Sequence, residues 1–222
     1  RQEMLDKIPD DFWTTPKKVF EPCSGKGGFL LDVINRFDKG LKESIPDDKE
    51  RKRLILEECL YFAELNPVNI FINKLLVDPE NEYNLNFYEG NTLDLNIEKQ
   101  FGLKGFDLVV GNPPYNSPGG IKKGGKNLYC KFMLFAIDVC NEQGYILYIV
   151  PTGILKTTIY DKKTKVFEKI TQHTIKSINI NDCSKHFNVA STFTYMLILK
   201  NNIKNKFFDI VSVIKNKKYV IQ

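Results

Sequence analysis

The sequence predicts an α/β protein whose sheet is mostly parallel, with seven strands and an antiparallel hairpin strand near the carboxyl end. The first observation is that short apolar runs, rich in β-branched and aromatic side chains, alternate with segments of helical periodicity along the 222 residues. The second is that the first four apolar runs each end at a polar residue, namely Glu21, Glu64, Asn91 and Asn112. Ligands bind at the carboxyl ends of strands in open α/β sheets, so these four residues are candidates for a site.

The first strand ends at Phe20 and is followed by a glycine-rich turn over residues 21–28 and by helical periodicity over residues 29–37. Glycines let a backbone come close to a ligand, and the start of a helix offers free N–H groups. Glu21 would repel a phosphate, but it suits a ligand with an ammonium group, such as an amino acid moiety. The pattern of a P-loop is absent. A purely structural turn is the alternative.

The second and third strands are predicted at residues 59–63 and 85–88. Glu64 directly follows the second strand, where an acid is placed to accept hydrogen bonds from a ribose diol. Asn91 follows the third strand, where the edge of an adenine could be recognised. Taken alone, Glu64 is more consistent with an ordinary surface acid.

The segments that flank the second strand are predicted to differ in character. Residues 38–53 are charged and lysine-rich, and we expect them to form a solvated surface excursion. After the strand, Pro67 begins a helix that has Val68, Phe71, Ile72 and Leu75 on one face.

The fourth strand, residues 106–110, is followed by Asn112, Pro113, Pro114 and Tyr115. Proline cannot donate a hydrogen bond to a β-ladder and disfavours a helical conformation in the residue before it, so the chain leaves the strand in a rigid, extended turn. The amide oxygen of Asn112 and the carbonyl of Pro113 can accept both protons of a planar NH2 group, which tilts its nitrogen toward a nucleophilic geometry. Tyr115 can stack on the ring that bears the NH2 group. The alternative is a proline-rich turn that only caps the strand.

A basic, glycine-rich loop at residues 116–127 opens the second half of the sequence. We expect either a disordered linker or a lid that becomes ordered on substrate. The elements predicted after it are a helix at 128–140, a strand at 145–150, a basic helical segment at 156–173, strands at 175–180 and 192–199, the second of these antiparallel, and a further strand at 207–214.

Composition narrows the class of protein. Hydrophobic and charged residues make up 42% and 27% of the chain, which is ordinary for a globular protein, and no apolar run approaches the length of a membrane span. Five scattered cysteines and two histidines predict reduced thiols in an intracellular, cytoplasmic protein without a metal site. The net charge of +5 permits a polyanionic partner.

The motif at residues 112–115, the glycine-rich turn and the acid at Glu64, in this order and spacing, resemble those of the S-adenosylmethionine-dependent adenine-N6 DNA methyltransferases of restriction–modification type. The resemblance covers residues 4–200. It implies a Rossmann-like class I methyltransferase fold and a catalytic domain over residues 1–200. Residues 201–222 are then a carboxyl-terminal extension or the start of a missing recognition region.

The resemblance also implies roles for individual residues. Residues 4–13 would close the methionine pocket, and Lys26 and Asn91 depart from the small residue and the aspartate that are common at these positions. S-adenosylmethionine would be bound by Glu21, Pro22, Cys23, Gly25, Gly27, Phe29, Glu64, Leu65, Asn91, Thr92 and Asn112. Asn112, Pro113, Pro114 and Tyr115 would act in catalysis, and Tyr115 and Phe187 would bind the two faces of a flipped adenine, although Phe187 is equally consistent with core packing.

Three alternatives stay open at the level of sequence. A methyltransferase that acts on the glutamine amide of peptide release factors carries the same four-residue motif, because glutamine presents the same planar NH2 group. An RNA methyltransferase and a non-catalytic, cofactor-binding subunit are the others. For a DNA enzyme, the sequence implies duplex DNA as the partner and sequence recognition by a further subunit or domain, with no membrane and no metal.

Overall fold

The computed structural model describes residues 1–115, 127–156, 160–161, 164–180, 193–201, 203, 209–214 and 217–221. The chain forms two compact units, which are described separately: unit 1 is Arg1–Gly111 and unit 2 is Asn112–Gln222. The predicted division at residue 200 stays a prediction.

Unit 1 is built on four parallel strands in the order β4-β1-β2-β3. The central strand β1 has Val19 paired with Leu60 on one side and with Leu108 on the other. A strand covered on both faces is apolar throughout, which explains the buried apolar residues 60–63 of β2 and 108–110 of β4. The strands are β1 Val19–Glu21, β2 Leu60–Glu64, β3 Asn86–Glu89 and β4 Phe106–Gly111.

Helices lie between successive strands of unit 1 along the chain, and they provide the crossover connections that parallel strands need. Asn66 caps the helix Pro67–Val77, because its side chain accepts a hydrogen bond from the amide of Val68 while Pro67 occupies the first turn. The helices are α1 Gln2–Leu5, α2 Gly28–Leu41, α3 Asp48–Leu54, α4 Pro67–Val77 and α5 Ile97–Phe101, with 3-10 turns at Asp10–Thr14 and Thr92–Asp94 and a π turn at Ile55–Cys59.

Two features of the surface of unit 1 bear on the sequence-based expectations. The face of α4 that holds Val68, Phe71 and Leu75 is exposed, and the opposite side, with Ile70, is buried. The expectation that residues 38–53 are all solvated is wrong at Arg51, which is 2% exposed. Its guanidinium donates to Asp38 at 2.7 Å and to the carbonyl of Ile45 at 2.7 Å, so paired partners replace water.

Unit 2 contains a mixed sheet in the order β11-β10-β8-β9-β5. Strand β9 is antiparallel to both β5 and β8, which confirms the predicted antiparallel strand, and β10 is parallel to β8. The seven predicted strands and the further one at residues 207–214 are therefore all present. The strands are β5 Cys140–Pro151, β8 Thr174–Ile180, β9 Phe193–Leu199, β10 Asp209–Ile214 and β11 Lys217–Ile221.

The rest of unit 2 departs from the prediction in one segment. Residues 156–173 were expected to be helical, but among the residues described there the helix covers only α7 Val166–Ile170. It is preceded by the two-residue strands β6 Tyr160–Asp161 and β7 Thr164–Lys165. Helix α6 covers Leu128–Val139, close to its predicted range, and a 3-10 turn covers Thr152–Leu155. Within the described part of the chain, no helix is long and apolar enough to cross a membrane.

Candidate functional site

The glycine-rich turn after β1 is held in place by backbone conformation and by contacts with Asn73. Gly25 and Gly27 have φ values of 53° and 77°, in the left-handed region that favours glycine. A Cβ at Gly27 would lie 2.6 Å from Oδ1 of Asn73, so no larger residue fits without a shift. The amide of Asn73, on α4, also donates to Oγ of Ser24 at 2.6 Å. Helix α4 thus fixes the shape of the turn.

Glu21 places a buried carboxyl group beside this turn. Its side chain is 4% exposed. Its Oε2 atom has no hydrogen-bond partner among the described residues. Burial raises the pKa of Glu21 well above its usual value, and the charges of Glu64 and Asp32 add to this, while Arg1 opposes it. A cationic ligand would complete this environment.

The amino-terminal residues of the chain lie against the start of α2. Nε of Arg1 donates to Oδ2 of Asp32 at 2.7 Å, and Nε2 of Gln2 donates to Oδ1 of the same carboxylate at 2.7 Å. The guanidinium of Arg1 also lies against Gly28. Predicted residues Met4 and Trp13 are buried beneath this region.

Glu64 connects the end of β2 to the glycine-rich turn. Its Oε2 accepts a hydrogen bond from the amide of Gly25 at 2.8 Å, and its Oε1 accepts one from the amide of Asn66 at 2.9 Å. Each carboxylate oxygen can accept a further hydrogen bond. The next residue, Leu65, is 65% exposed. An acceptor pair and an apolar surface therefore stand side by side at this strand end.

The end of β3 is tied to the same region. Oγ1 of Thr92 donates to the carbonyl of Pro22 at 2.5 Å, and the amide of Gly90 donates to the carbonyl of Glu64 at 3.0 Å. Asn91 is exposed, and its Nδ2 donates to Oδ2 of Asp94 at 2.7 Å. The structure thus brings Glu21, Glu64 and Asn91 to one edge of the unit 1 sheet, as predicted.

The remaining predicted residues of unit 1 differ in how accessible they are. Phe29 is 4% exposed and packs in the core. Cys23 is partly buried, and burial together with the charges of Glu21 and Glu64 raises the pKa of its thiol well above the usual value. Cys23 is therefore protonated at neutral pH and unsuited to act as a nucleophile.

The four-residue motif at the start of unit 2 presents a fixed side-chain amide. Asn112 is exposed, Pro113 is buried and Pro114 is exposed. The hydroxyl of Tyr115 donates to Oδ1 of Asn112 at 2.6 Å. The carbonyl of Tyr115 accepts a hydrogen bond from the amide of Leu128, at the start of α6, which anchors the end of the motif.

Phe193 is a residue that the sequence-based prediction missed. Its ring centroid lies 4.8 Å from that of Tyr115, with the two planes 37° apart, and it is 2% exposed. Phe193 begins β9 and pairs with Pro151 at the end of β5. The antiparallel direction predicted for this strand was the available signal, because it brings the amino end of β9 to the carboxyl end of β5. Phe187 and the loop at 116–126 lie outside the described residues.

The chemistry available is that of binding and positioning. Unit 1 offers two carboxylates and a side-chain amide around a narrow glycine-rich turn, and unit 2 offers an amide acceptor beside two aromatic rings. Among the described residues, no group of three or more His, Cys, Asp or Glu side chains could hold a metal ion.

Comparison of the sequence with known proteins finds methylases. A family described as "Eco57I restriction-modification methylase" matches residues 49–189. An "Uncharacterized adenine-specific methylase" of Mycoplasma pneumoniae is 25% identical over 92% of this chain and 66% of its own length. "Modification methylase CviBIII" of Paramecium bursaria Chlorella virus NC1A is 26% identical over 82% of this chain and 46% of its own. The chain thus spans less than two thirds of either relative.

Solved structures with a similar fold include methyltransferase subunits. The M protein of the type I restriction enzyme EcoKI has a TM-score of 0.68 at 18% identity over 96% of this chain and 48% of its own. A type I methyltransferase subunit from Streptococcus thermophilus has a TM-score of 0.66 at 16% identity, over 98% and 47%. A Listeria monocytogenes protein assigned to the class I S-adenosylmethionine-dependent methyltransferases has a TM-score of 0.63 at 13% identity, over 95% of this chain and 62% of its own. The expected class I methyltransferase fold is confirmed.

Proposed function

Because the chain belongs to the Eco57I restriction-modification methylase family, we propose that it transfers a methyl group from S-adenosylmethionine to the N6 amino group of an adenine flipped out of DNA. Membership of the family makes the chain a restriction–modification methylase. The adenine as target, S-adenosylmethionine as cofactor and the roles of individual residues are what we propose in addition. The observation that carries it is the exposed amide of Asn112, whose oxygen is held by Tyr115 at 2.6 Å. The names of the two relatives, an adenine-specific methylase and a modification methylase, support adenine as the target.

The residues at the edge of the unit 1 sheet fit the cofactor. Oε2 of Glu21, buried and without a partner among the described residues, would accept hydrogen bonds from the ammonium group of the methionine moiety. Glu64 would accept hydrogen bonds from the ribose hydroxyls, and the exposed side chain of Leu65 would pack on the adenine ring. When bound, S-adenosylmethionine supplies an activated methyl group on a sulfonium centre.

Pro22, Gly25, Gly27 and Thr92 would act through the backbone that they shape. The left-handed glycines keep the turn narrow, and the hydrogen bond from Thr92 to Pro22 holds the end of β3 next to it. Pro22 and Phe29 are buried and would support the turn from below. Cys23 would contribute its partly buried, neutral side chain as an apolar contact.

The residues of the motif in unit 2 would hold the acceptor amine. The N6 group of adenine is planar, because its lone pair is delocalised into the ring. Oδ1 of Asn112 and the carbonyl of Pro113 would each accept one of its protons and so direct the lone pair away from the ring plane. Tyr115 would stack on the base, with Phe193 packed on the other side of Tyr115. Precise positioning of this kind supplies on the order of 7–11 kcal/mol toward a transfer reaction.

Access to N6 requires the base to leave the duplex, since this amino group is paired inside the helix. Base flipping costs a few kcal/mol, and the enzyme recovers this energy by stacking and hydrogen bonding. The exposed position of Asn112 makes it available to an extrahelical base. The net charge of +5 favours approach to the phosphate backbone. Recognition of the sequence around the adenine is assigned to a further subunit or domain.

The test is a methylation assay with tritiated S-adenosylmethionine and three separate acceptors: unmethylated duplex DNA, RNA, and a peptide that carries a glutamine amide. We expect label only in DNA, recovered as N6-methyladenine after digestion to nucleosides and mass spectrometry. Asn112→Ala should abolish the label and still bind the cofactor in calorimetry. Label in the peptide or the RNA would overturn the substrate, and failure of the chain to bind S-adenosylmethionine would overturn the activity.

A further inference from the structure

Asn91 presents a chemical ambiguity at the end of β3. A side-chain amide has an acceptor on one side and a donor on the other, and it exchanges them by rotating half a turn. The adenine of a cofactor bound at this edge would present its 6-amino group, which is a donor. An aspartate would accept from this group in either orientation. An asparagine accepts only when its oxygen points toward the adenine.

The neighbouring carboxylate resolves this ambiguity. Nδ2 of Asn91 lies 2.7 Å from Oδ2 of Asp94, and Oδ1 of Asn91 lies 3.4 Å from the amide nitrogen of Leu93. The opposite orientation would place the amide oxygen against a carboxylate oxygen and the NH2 group against the N–H of Leu93. Both of those contacts are repulsive, so Asp94 determines which face of the amide is the acceptor.

The acceptor face stays available for a ligand. The contact with Leu93 lies at the long limit of a hydrogen bond, and the side chain of Asn91 is exposed. The backbone on both sides of Asn91 is fixed, since Gly90 donates to the carbonyl of Glu64 and Thr92 donates to the carbonyl of Pro22. The amide therefore belongs to the edge at which Glu64 would bind the ribose.

We propose that Asp94 is a positioning residue for cofactor recognition, because it fixes the amide of Asn91 in the orientation that leaves its oxygen to accept from the 6-amino group of the cofactor's adenine. The inference rests on the proposed function, since it presupposes that S-adenosylmethionine binds at this edge. Asp94 acts only through Asn91. Its importance follows from the asparagine: with an aspartate at position 91 there is no orientation to determine.

The experiment compares two backgrounds by calorimetry with S-adenosylhomocysteine. In the wild-type background, Asp94→Ala leaves the amide of Asn91 free to rotate and weakens binding by about tenfold. In the Asn91→Asp background, the same substitution leaves affinity unchanged or improves it, because it removes a repulsive carboxylate. A merely structural role of Asp94 predicts the same loss in both backgrounds, and that result would overturn the proposal.

A second ligand provides a readout of orientation. S-inosylhomocysteine carries an oxygen in place of the 6-amino group, so it requires a donor at Asn91. The wild type should discriminate strongly against it, and Asp94→Ala should reduce the discrimination by about tenfold while Asn91→Asp retains it. Unchanged discrimination in Asp94→Ala would contradict the role. If Asp94→Ala does not fold, Asp94→Asn keeps the size of the side chain and should shift discrimination in the same direction.

The failures of the two proposals are distinguishable. A wild-type chain that binds neither ligand contradicts the proposed cofactor. A wild-type chain that binds S-adenosylhomocysteine, alongside an Asp94→Ala variant that binds it equally well, leaves the function intact and overturns only the role of Asp94.

Discussion

The hydroxyl of Tyr115 donates a hydrogen bond to Oδ1 of Asn112 over 2.6 Å, three residues back along the chain. The bond orients the amide of Asn112 before any substrate is present, since a phenol hydroxyl donates most readily to the amide oxygen. A carbonyl-type oxygen has two lone pairs, so Asn112 can accept from Tyr115 and from a target amine together. Tyr115 therefore has two separable contributions: its hydroxyl orients the amide of Asn112, and in the proposed function its ring would contact the base.

Substitution of Tyr115 by Phe or Ala should separate these contributions. Tyr115→Phe keeps the ring and loses the hydrogen bond, so we expect the single-turnover rate of methyl transfer to fall about tenfold. Tyr115→Ala also loses stacking, which is worth about 1–3 kcal/mol per base, so its rate should fall at least another tenfold. Equal rates for Tyr115→Phe and the wild type would show that the hydroxyl has no orienting role.

The ends of the unit 1 strands could be predicted from the sequence to within about two residues. Buried parallel strands require apolar runs, and the polar residues Glu21, Glu64 and Asn91 mark where the apolar runs stop. The signal is local, because each strand carries it in its own composition.

Features that depend on distant neighbours could not be predicted in this way. Periodicity identified which residues of α4 share a face, but Phe71 lies on the exposed face and Ile70 on the buried one. Arg51 is buried because Asp38 pairs with it, and composition alone does not reveal a pair. The contact of Tyr115 with Phe193 arises from the pairing of β9 with β5, which is a long-range event.

Phe193 should contribute to base binding through the contact of its ring with Tyr115, in addition to its contribution to the buried core. Phe193→Leu keeps an apolar side chain of similar volume, so the loss in stability should be modest, about 1–1.5 kcal/mol. The variant removes the ring against which Tyr115 packs, and we expect affinity for DNA with 2-aminopurine at the target position to fall severalfold, measured by fluorescence.

The control for Phe193→Leu is Met196→Leu, a similar change at another fully buried position of β9. Met196→Leu should lower the free energy of unfolding by an amount comparable to that of Phe193→Leu and leave the 2-aminopurine signal unchanged. If both variants reduce the signal equally, the effect comes from general loosening of β9 and not from the ring of Phe193.

Two features should require glycine at position 27: its left-handed backbone conformation and the close approach of Asn73 to the place that a Cβ would occupy. Gly25 and Gly27 both have left-handed φ values, so alanine is strained at either position. A Cβ at Gly25 meets nothing within 4 Å, whereas one at Gly27 lies 2.6 Å from Oδ1 of Asn73. Urea denaturation should therefore show Gly25→Ala about 1 kcal/mol less stable than the wild type, and Gly27→Ala less stable still by about 1–3 kcal/mol. Equal losses would mean that Asn73 moves aside at little cost.

Glu21 should strengthen ligand binding and lower the free energy of unfolding of the ligand-free protein. Its pKa is raised in the folded state, so the folded protein holds the proton more tightly than the unfolded chain does. The free energy of unfolding contributed by Glu21 is then highest below its unfolded pKa and declines as the pH rises from there toward the folded pKa. Glu21→Gln removes this penalty, and we expect the ligand-free variant to be more stable than the wild type above about pH 5 by about 1–3 kcal/mol.

The same variant should lose its affinity for S-adenosylmethionine, because a glutamine amide cannot neutralise an ammonium group. Thermal unfolding between pH 4 and 8, with and without the cofactor, measures both effects. Asp32→Asn is the matched control, since Asp32 is also buried near the turn but both of its oxygens are already bonded to Arg1 and Gln2. That variant should be destabilised in the absence of ligand. A Glu21→Gln variant that is less stable than the wild type throughout this range would show that Glu21 is ionised and well paired in the free protein, contrary to the environment described above.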